Sequence, residues 1–61
     1  MTYSASDLQA CAAREAKMRR GVYPRWIADG RLSQKKADDE IAKMEAIAEH
    51  FAALAEGERL L

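Results

Sequence analysis

Apolar residues recur at helical spacing in two segments of the chain, with a short polar stretch between them. The stripe in the second segment consists of Ala37, Ile41, Met44, Ala48, Phe51 and Ala55. Ile47 and Leu54 widen this stripe to a face of about 140°, counting about 100° per residue. The pattern predicts a helix from about Gln34 to about Glu56.

The first segment carries a sparser stripe at the same spacing. Its members are Leu8, Cys11, Met18 and Val22. Ser6, followed three residues later by Gln9, fits a capping box at the start of a helix. Ser4 with Asp7 is a second candidate for the same role. The pattern predicts a helix from about Asp7 to about Arg20.

The stretch between the stripes, GVYPRWIADGRLSQ, is rich in residues that end and begin helices. Pro24 disfavours a helical conformation at the residue before it but suits the first turn of a new helix. A short helix from about Pro24 to Asp29 is therefore predicted. Gly30 suits a left-handed C-terminal cap, and Ser33 is a natural N-cap for the last helix.

Together these elements predict one small all-α domain over residues 1–61, a helical hairpin of two long antiparallel helices joined by a short helical elbow. No segment alternates apolar and polar residues as a strand would. A chain of this length buries little apolar surface, and two helices cover each other on one side only. We therefore expect the last helix to keep apolar surface for a second copy of the chain or for another protein. Ile47, Phe51 and Leu54 are the candidate residues for self-association as a homodimer.

The distribution of charge points to a second surface. The chain has ten Lys and Arg residues and ten Asp and Glu residues. Residues 14–36 hold eight basic against two acidic residues, a net charge of +6, whereas residues 37–61 hold seven acidic against two basic, a net charge of −5. Because the basic part surrounds the turn, we expect a partner to bind there. The candidate residues are Arg19, Tyr23, Arg25, Trp26, Arg31, Lys35 and Lys36.

Some of these candidates also have a structural interpretation. Glu15 and Arg19 lie four residues apart with the acid first, which favours an ion pair on one helix. Either Glu15 ties Arg19 and the Tyr23 hydroxyl into a polar clasp that fixes the turn, or Arg19 is presented to an anionic partner. Tyr23 and Trp26 are likewise either lids over the core or aromatic residues of an interface.

Residues that carry catalysis or bind metals are scarce. Cys11 is the only cysteine and His50 the only histidine. The spacing places Cys11 on the inward side of its helix and His50 at the edge of the other, so a Cys-His nucleophile is not expected. The sequence has no CxxC, HExxH or glycine-rich phosphate loop, which predicts no catalytic residues, no metal site and no cofactor.

The remaining sequence features concern localisation. The start, MTYSASD, lacks the basic and apolar regions of a signal peptide. No apolar run approaches the roughly 18 residues of a membrane span. We therefore expect a cytoplasmic protein without membrane association.

A pattern of four short motifs covers more than half of the chain. The motifs are Met18 and Arg19; Tyr23 and Pro24; residues 30–33; and Glu40, Ile41, Met44 and Ile47. The stretch MRRGVYPRWIADGRLSQKKADDEIAKMEAIAEHF thereby resembles a group of small phage and prophage proteins with the same Met-Arg, Tyr-Pro, Gly-basic-apolar-Ser and Glu-Ile-x-x-Met-x-x-Ile motifs. The resemblance implies a phage or mobile-element accessory protein that binds and modulates a host or phage protein. An inhibitor of a host defence system is one protein of that kind.

Nucleic-acid binding is the alternative. The stretch IADGRLSQKKADDEI is similar to the turn of a helix-turn-helix, but Asp38, Asp39 and Glu40 would lie where the phosphates do. A nucleic acid would then meet the basic turn, with Trp26 stacked on an unpaired base. A purely structural, homo-oligomeric module is the third hypothesis.

Overall fold

Two long helices make up the protein in its computed structural model, which describes residues 2–59. α1 spans Ala5–Ala28 and α2 spans Gln34–Arg59. Residues 29–33 reverse the chain, and the helices pack against each other in a rod of 48 × 17 × 16 Å. The predicted all-α hairpin is confirmed.

Serine side chains begin both helices. The backbone N–H of Asp7 donates to Ser4 Oγ at 3.0 Å, so Ser4 is the N-cap of α1. The prediction of Ser6 for this role is wrong, because the earlier start buries the first residue of α1 between the helices. The N–H of Lys36 donates to Ser33 Oγ at 3.1 Å, which confirms Ser33 as the cap of α2.

The predicted elbow is not a separate helix. α1 continues through Pro24, although proline lacks the N–H that would bond the carbonyl of Arg20. Tyr23 and Ile27 lie seven and eleven residues after Ala16, on the side of α1 that packs against α2, and both are half-buried. Their burial offsets the lost hydrogen bond, so the last turn stays part of α1.

Gly30 closes α1 in a left-handed conformation, with φ of 76°. Its N–H donates to the carbonyl of Ile27 at 3.0 Å, and the N–H of Arg31 donates to that of Trp26 at 2.9 Å. These two bonds form a Schellman motif, in which glycine is favoured at the position with positive φ. The predicted glycine cap is confirmed.

Gly30→Ala should lower the free energy of unfolding by about 1 kcal/mol, because a Cβ is disfavoured at positive φ. Gly21→Ala is the matched control in the middle of α1, where alanine should raise that free energy by about 0.5–1 kcal/mol. An added Cβ has no neighbour within 4 Å at either site, so the difference isolates backbone conformation. Urea unfolding monitored by circular dichroism measures both values, and equal shifts would contradict the assignment.

Alanines form the contact between the helices. Within residues 2–59 the buried side chains are Ala5, Ala12, Ala16 and Ala37. We call these four residues the alanine seam. The stripe predicted for α2 is confirmed, since each of its six members is buried or half-buried. No larger side chain in the described range is fully buried, so the hairpin has little core of its own.

The stripe predicted for α1 does not face α2 as expected. Cys11, expected to point inward, is exposed, and Met18 is 54% exposed. The direction of this stripe differs from that of Ala12 and Ala16 by about 100° around the helix. Small side chains let two helix backbones approach closely, and for this reason the alanines of α1, rather than its larger apolar residues, pack against α2. The larger apolar residues of α1 are left along one edge of the contact.

Candidate functional site

The predicted partner surface divides into two parts on different sides of α1. Arg25 and Trp26 are neighbours in sequence, and their side chains point about 100° apart around the helix. The first part, which we call the aromatic groove, has a volume of 380 Å³. Its walls are Glu15, Met18, Arg19, Val22, Tyr23 and Trp26. The second part, which we call the basic turn, consists of Arg25, Arg31 and Lys35.

Two aromatic rings in a tilted contact form the end of the aromatic groove nearest the turn. The ring centroids of Tyr23 and Trp26 lie 5.6 Å apart at an interplanar angle of 38°. Tyr23 is half-buried, while Trp26 is 38% exposed. Met18 and Val22, two members of the apolar stripe predicted for α1, belong to this groove. The exposure of Met18 and the partial exposure of Val22 follow from the rotation of α1 that brings its alanines onto α2.

The predicted ion pair between Glu15 and Arg19 is present in the groove. Arg19 Nη1 donates to Glu15 Oε2 at 2.9 Å, and the pair is partly buried. Partial desolvation lowers the pKa of Arg19, but the Tyr23 hydroxyl and the Glu15 carboxylate outweigh it and hold that pKa above its ordinary value. The ion pair with Glu15 favours the structural interpretation of Arg19 over a side chain presented to a partner.

The basic turn surrounds the closed end of the hairpin. Arg25 lies in the last turn of α1, Arg31 in the connection and Lys35 in the first turn of α2, and all three side chains are exposed. No carboxylate within residues 2–59 lies closer than 4.0 Å to any of their charged groups. These three cations are therefore available to a ligand.

Lys36, also a predicted contact residue, is engaged within α2. Its Nζ lies 3.0 Å from Glu40 Oε1, and this hydrogen bond and charge lower the pKa of Glu40. Lys43 lies 2.9 Å from Asp39, whose hydrogen bond and charge raise the pKa of Lys43. The acidic residues at the start of α2 are thus partly neutralised by lysines of the same helix.

Charge is separated along the length of the hairpin. Its closed half, residues 17–46, holds eight basic and five acidic side chains, a net charge of +3. Its open half, residues 2–16 and 47–59, holds two basic and five acidic side chains, a net charge of −3. The predicted asymmetry between the turn and the rest of the chain is therefore also an asymmetry in space.

The residues predicted to mediate self-association share one side of α2. Ile47 is 43% exposed and Leu54 is 46% exposed, while Phe51 is half-buried at the edge of the helix contact. His50 packs edge-on against Phe51, with ring centroids 5.3 Å apart. Apolar surface therefore remains on α2 after the hairpin has formed.

Two further properties concern the described part of the chain. Residues 2–59 contain no cluster of three or more His, Cys, Asp or Glu side chains placed to hold a metal ion. Within the same residues, neither helix has an apolar stretch long enough to cross a membrane. No protein-family model matches the chain, and no curated protein or solved structure matches it significantly.

Proposed function

We propose that the chain is a non-catalytic accessory protein that binds an acidic surface of another protein through its basic turn. Three exposed cations without an ion-pair partner among the described residues support this proposal most directly. Arginine and lysine placed on the rim of an interface attract carboxylates and raise the rate of association. The phage resemblance suggests a host or phage protein as the partner, and inhibition of a host defence protein is one role of this kind.

Acidic residues at the same end of the hairpin favour a protein over a nucleic acid as the ligand. Asp29 lies between Arg25 and Arg31, and Asp38 and Asp39 follow the lysines that begin α2. A continuous track of phosphates along this end would meet those carboxylates as well as the cations. A protein surface can place a few carboxylates against the basic side chains alone.

In this proposal the residues of the aromatic groove stabilise α1 and position the basic turn; they do not contact the partner. The Glu15–Arg19 ion pair stabilises the middle of α1, and the Tyr23–Trp26 contact stabilises its last two turns. The last turn of α1 carries Arg25, and the connection that follows carries Arg31. We therefore assign Arg19 and Tyr23 to positioning the turn.

Capture of partners by the tagged full chain, with and without nuclease, tests the proposal. We expect a protein to remain bound after nuclease treatment and to be released by moderate salt, because exposed charges are screened within about 10 Å at 0.1 M salt. Partners that disappear with nuclease would identify a nucleic acid as the ligand. Titration of DNA and RNA at about 50 mM salt then gives the direct comparison, since phosphate binding is strongest at low salt.

A further inference from the structure

The exposed apolar residues of the two helices lie on the same side of the hairpin. The ion pair between Arg20 and Glu45 links α1 and α2 across the opposite side. On each helix, the charged residue of this pair lies to one side of the buried alanines, and the exposed apolar residues lie to the other side. In an antiparallel pair they therefore share one surface, which we call the apolar face. It consists of the exposed Met18, Trp26, Ile47 and Leu54, together with the half-buried Leu8 and Val22 at their side.

The hairpin exposes about a fifth more surface than a compact protein of its mass. Its accessible surface is 4752 Å², whereas a compact monomer of 6.8 kDa exposes about 4,000 Å². Its radius of gyration is 14.1 Å, against about 10 Å for a compact domain of this length. The excess surface is of the order of the roughly 800 Å² that each partner buries in a standard protein interface.

We infer that a second copy of this chain covers the apolar face and that the two hairpins run antiparallel in a four-helix bundle. A second copy matches the face in length and in chemistry, and it supplies the large buried side chains that the single hairpin lacks. The charges select the orientation. Antiparallel hairpins place the closed half, with its charge of +3, over the open half of the other copy, with its charge of −3. The parallel arrangement would stack like charges at both ends.

The extents of the two helices set the register. The midpoint of α1 lies between Ala16 and Lys17 and that of α2 between Ala46 and Ile47, so the two-fold axis of a fully overlapping bundle passes close to both midpoints. Residues equally far from that axis on either side then meet across the interface. Cys11 of one copy consequently lies opposite Val22 of the other.

This inference goes beyond the proposed function and does not depend on it. The basic turn lies at the closed end of each hairpin, where Arg31 is in the connection beyond both helices, whereas Arg25, seven residues after Met18, lies at the border of the apolar face. In the antiparallel bundle the two basic turns occupy opposite ends, and Arg31 and Lys35 stay open to a partner. The bundle would present two separate sites for the acidic partner proposed above.

Sedimentation equilibrium across a concentration series measures the assembly. We expect the mass of the full chain to approach twice 6.8 kDa at the highest concentrations. Ile47→Glu should raise the dissociation constant by at least about 100-fold, because it places two carboxylates close together in an apolar contact. Ala46→Glu, on the exposed outer side of α2, is the matched control and should change it by less than about threefold. A mass of 6.8 kDa throughout, or equal dissociation of the two variants, would overturn the inference.

A disulfide between the copies measures the orientation. Val22→Cys should give a covalent dimer under mild oxidation, through the new thiol of one copy and the native Cys11 of the other. The two positions on one helix are about 16 Å apart, which is too far for an internal disulfide. The wild-type chain and the double variant Val22→Cys, Cys11→Ser should both remain uncrosslinked. Crosslinking of the double variant to the same extent, or no crosslinking of Val22→Cys, would rule out this antiparallel register.

Discussion

Replacing Ala16 with glutamate should unfold the hairpin. The side chain of Ala16 is 2% exposed and lies in the alanine seam. A carboxylate at this position would be buried without a cation on α2 to neutralise it, which we expect to lower the free energy of unfolding by about 3 kcal/mol or more. A single core of this size supplies only about 3–5 kcal/mol in total. Far-UV circular dichroism during urea unfolding measures the loss.

Ala10→Glu is the matched control for this substitution. Position 10 is exposed on the same helix, and it precedes Arg14 by four residues just as position 16 precedes Arg20. Helix propensity, added charge and the local ion pair are therefore alike in the two variants. We expect Ala10→Glu to change the free energy of unfolding by no more than about 0.5 kcal/mol. Equal stability of the two variants would show that the alanine seam does not hold the helices together.

The two helices show where an apolar pattern is a reliable guide to packing. In α2 the large residues Ile41, Met44 and Phe51 share a stripe with the small ones, so the pattern identifies the side that faces α1. In α1 the large apolar residues and the alanines point about 100° apart around the helix. A prediction of the buried side from the large apolar residues alone therefore selects a side that does not face α2. The repeat of Ala5, Ala12 and Ala16 is visible in the sequence, but its role depends on the close approach of a second helix.

The end of α1 shows a limit of local sequence signals. Pro24 is a strong local indication of a helix boundary, yet α1 passes through it. The deciding factor is the burial of Tyr23 and Ile27 between the helices, which is a tertiary effect. The Gly30 cap and the Ser33 cap were predictable, because both depend on residues that are neighbours in sequence.

In the candidate site, too, contacts within one helix could be predicted from the sequence, whereas contacts between the helices could not. The ion pairs of Glu15 with Arg19 and of Lys36 with Glu40 follow from a spacing of four residues on a helix. The pair between Arg20 and Glu45 joins residues 25 positions apart and requires the hairpin. The division of the predicted surface into an aromatic groove and a basic turn likewise requires the rotation of α1 on α2.

Reversing the charge of Arg25 and Arg31 together should abolish binding to the protein partner. The double variant Arg25→Glu, Arg31→Glu replaces two attractive charges with two repulsive ones, and we expect the affinity to fall by at least about 100-fold, or about 2.7 kcal/mol. Both side chains are exposed and outside the ion pairs of the described residues, so the fold should persist. Replacing a cation with a carboxylate in the last turn of α1 opposes the helix dipole and should lower the free energy of unfolding by about 1 kcal/mol. Calorimetric titration of the purified partner measures the affinity.

Arg14→Glu, Lys17→Glu is the control that separates a local contact from the effect of net charge. Both residues are exposed on α1 away from the turn, and the double reversal changes the net charge by the same amount. If the basic turn makes the contact, this control should weaken binding by less than about threefold, through long-range attraction alone. Equal losses in the two variants would show that the partner responds only to net charge. Unchanged binding by Arg25→Glu, Arg31→Glu would remove the basic turn from the interface.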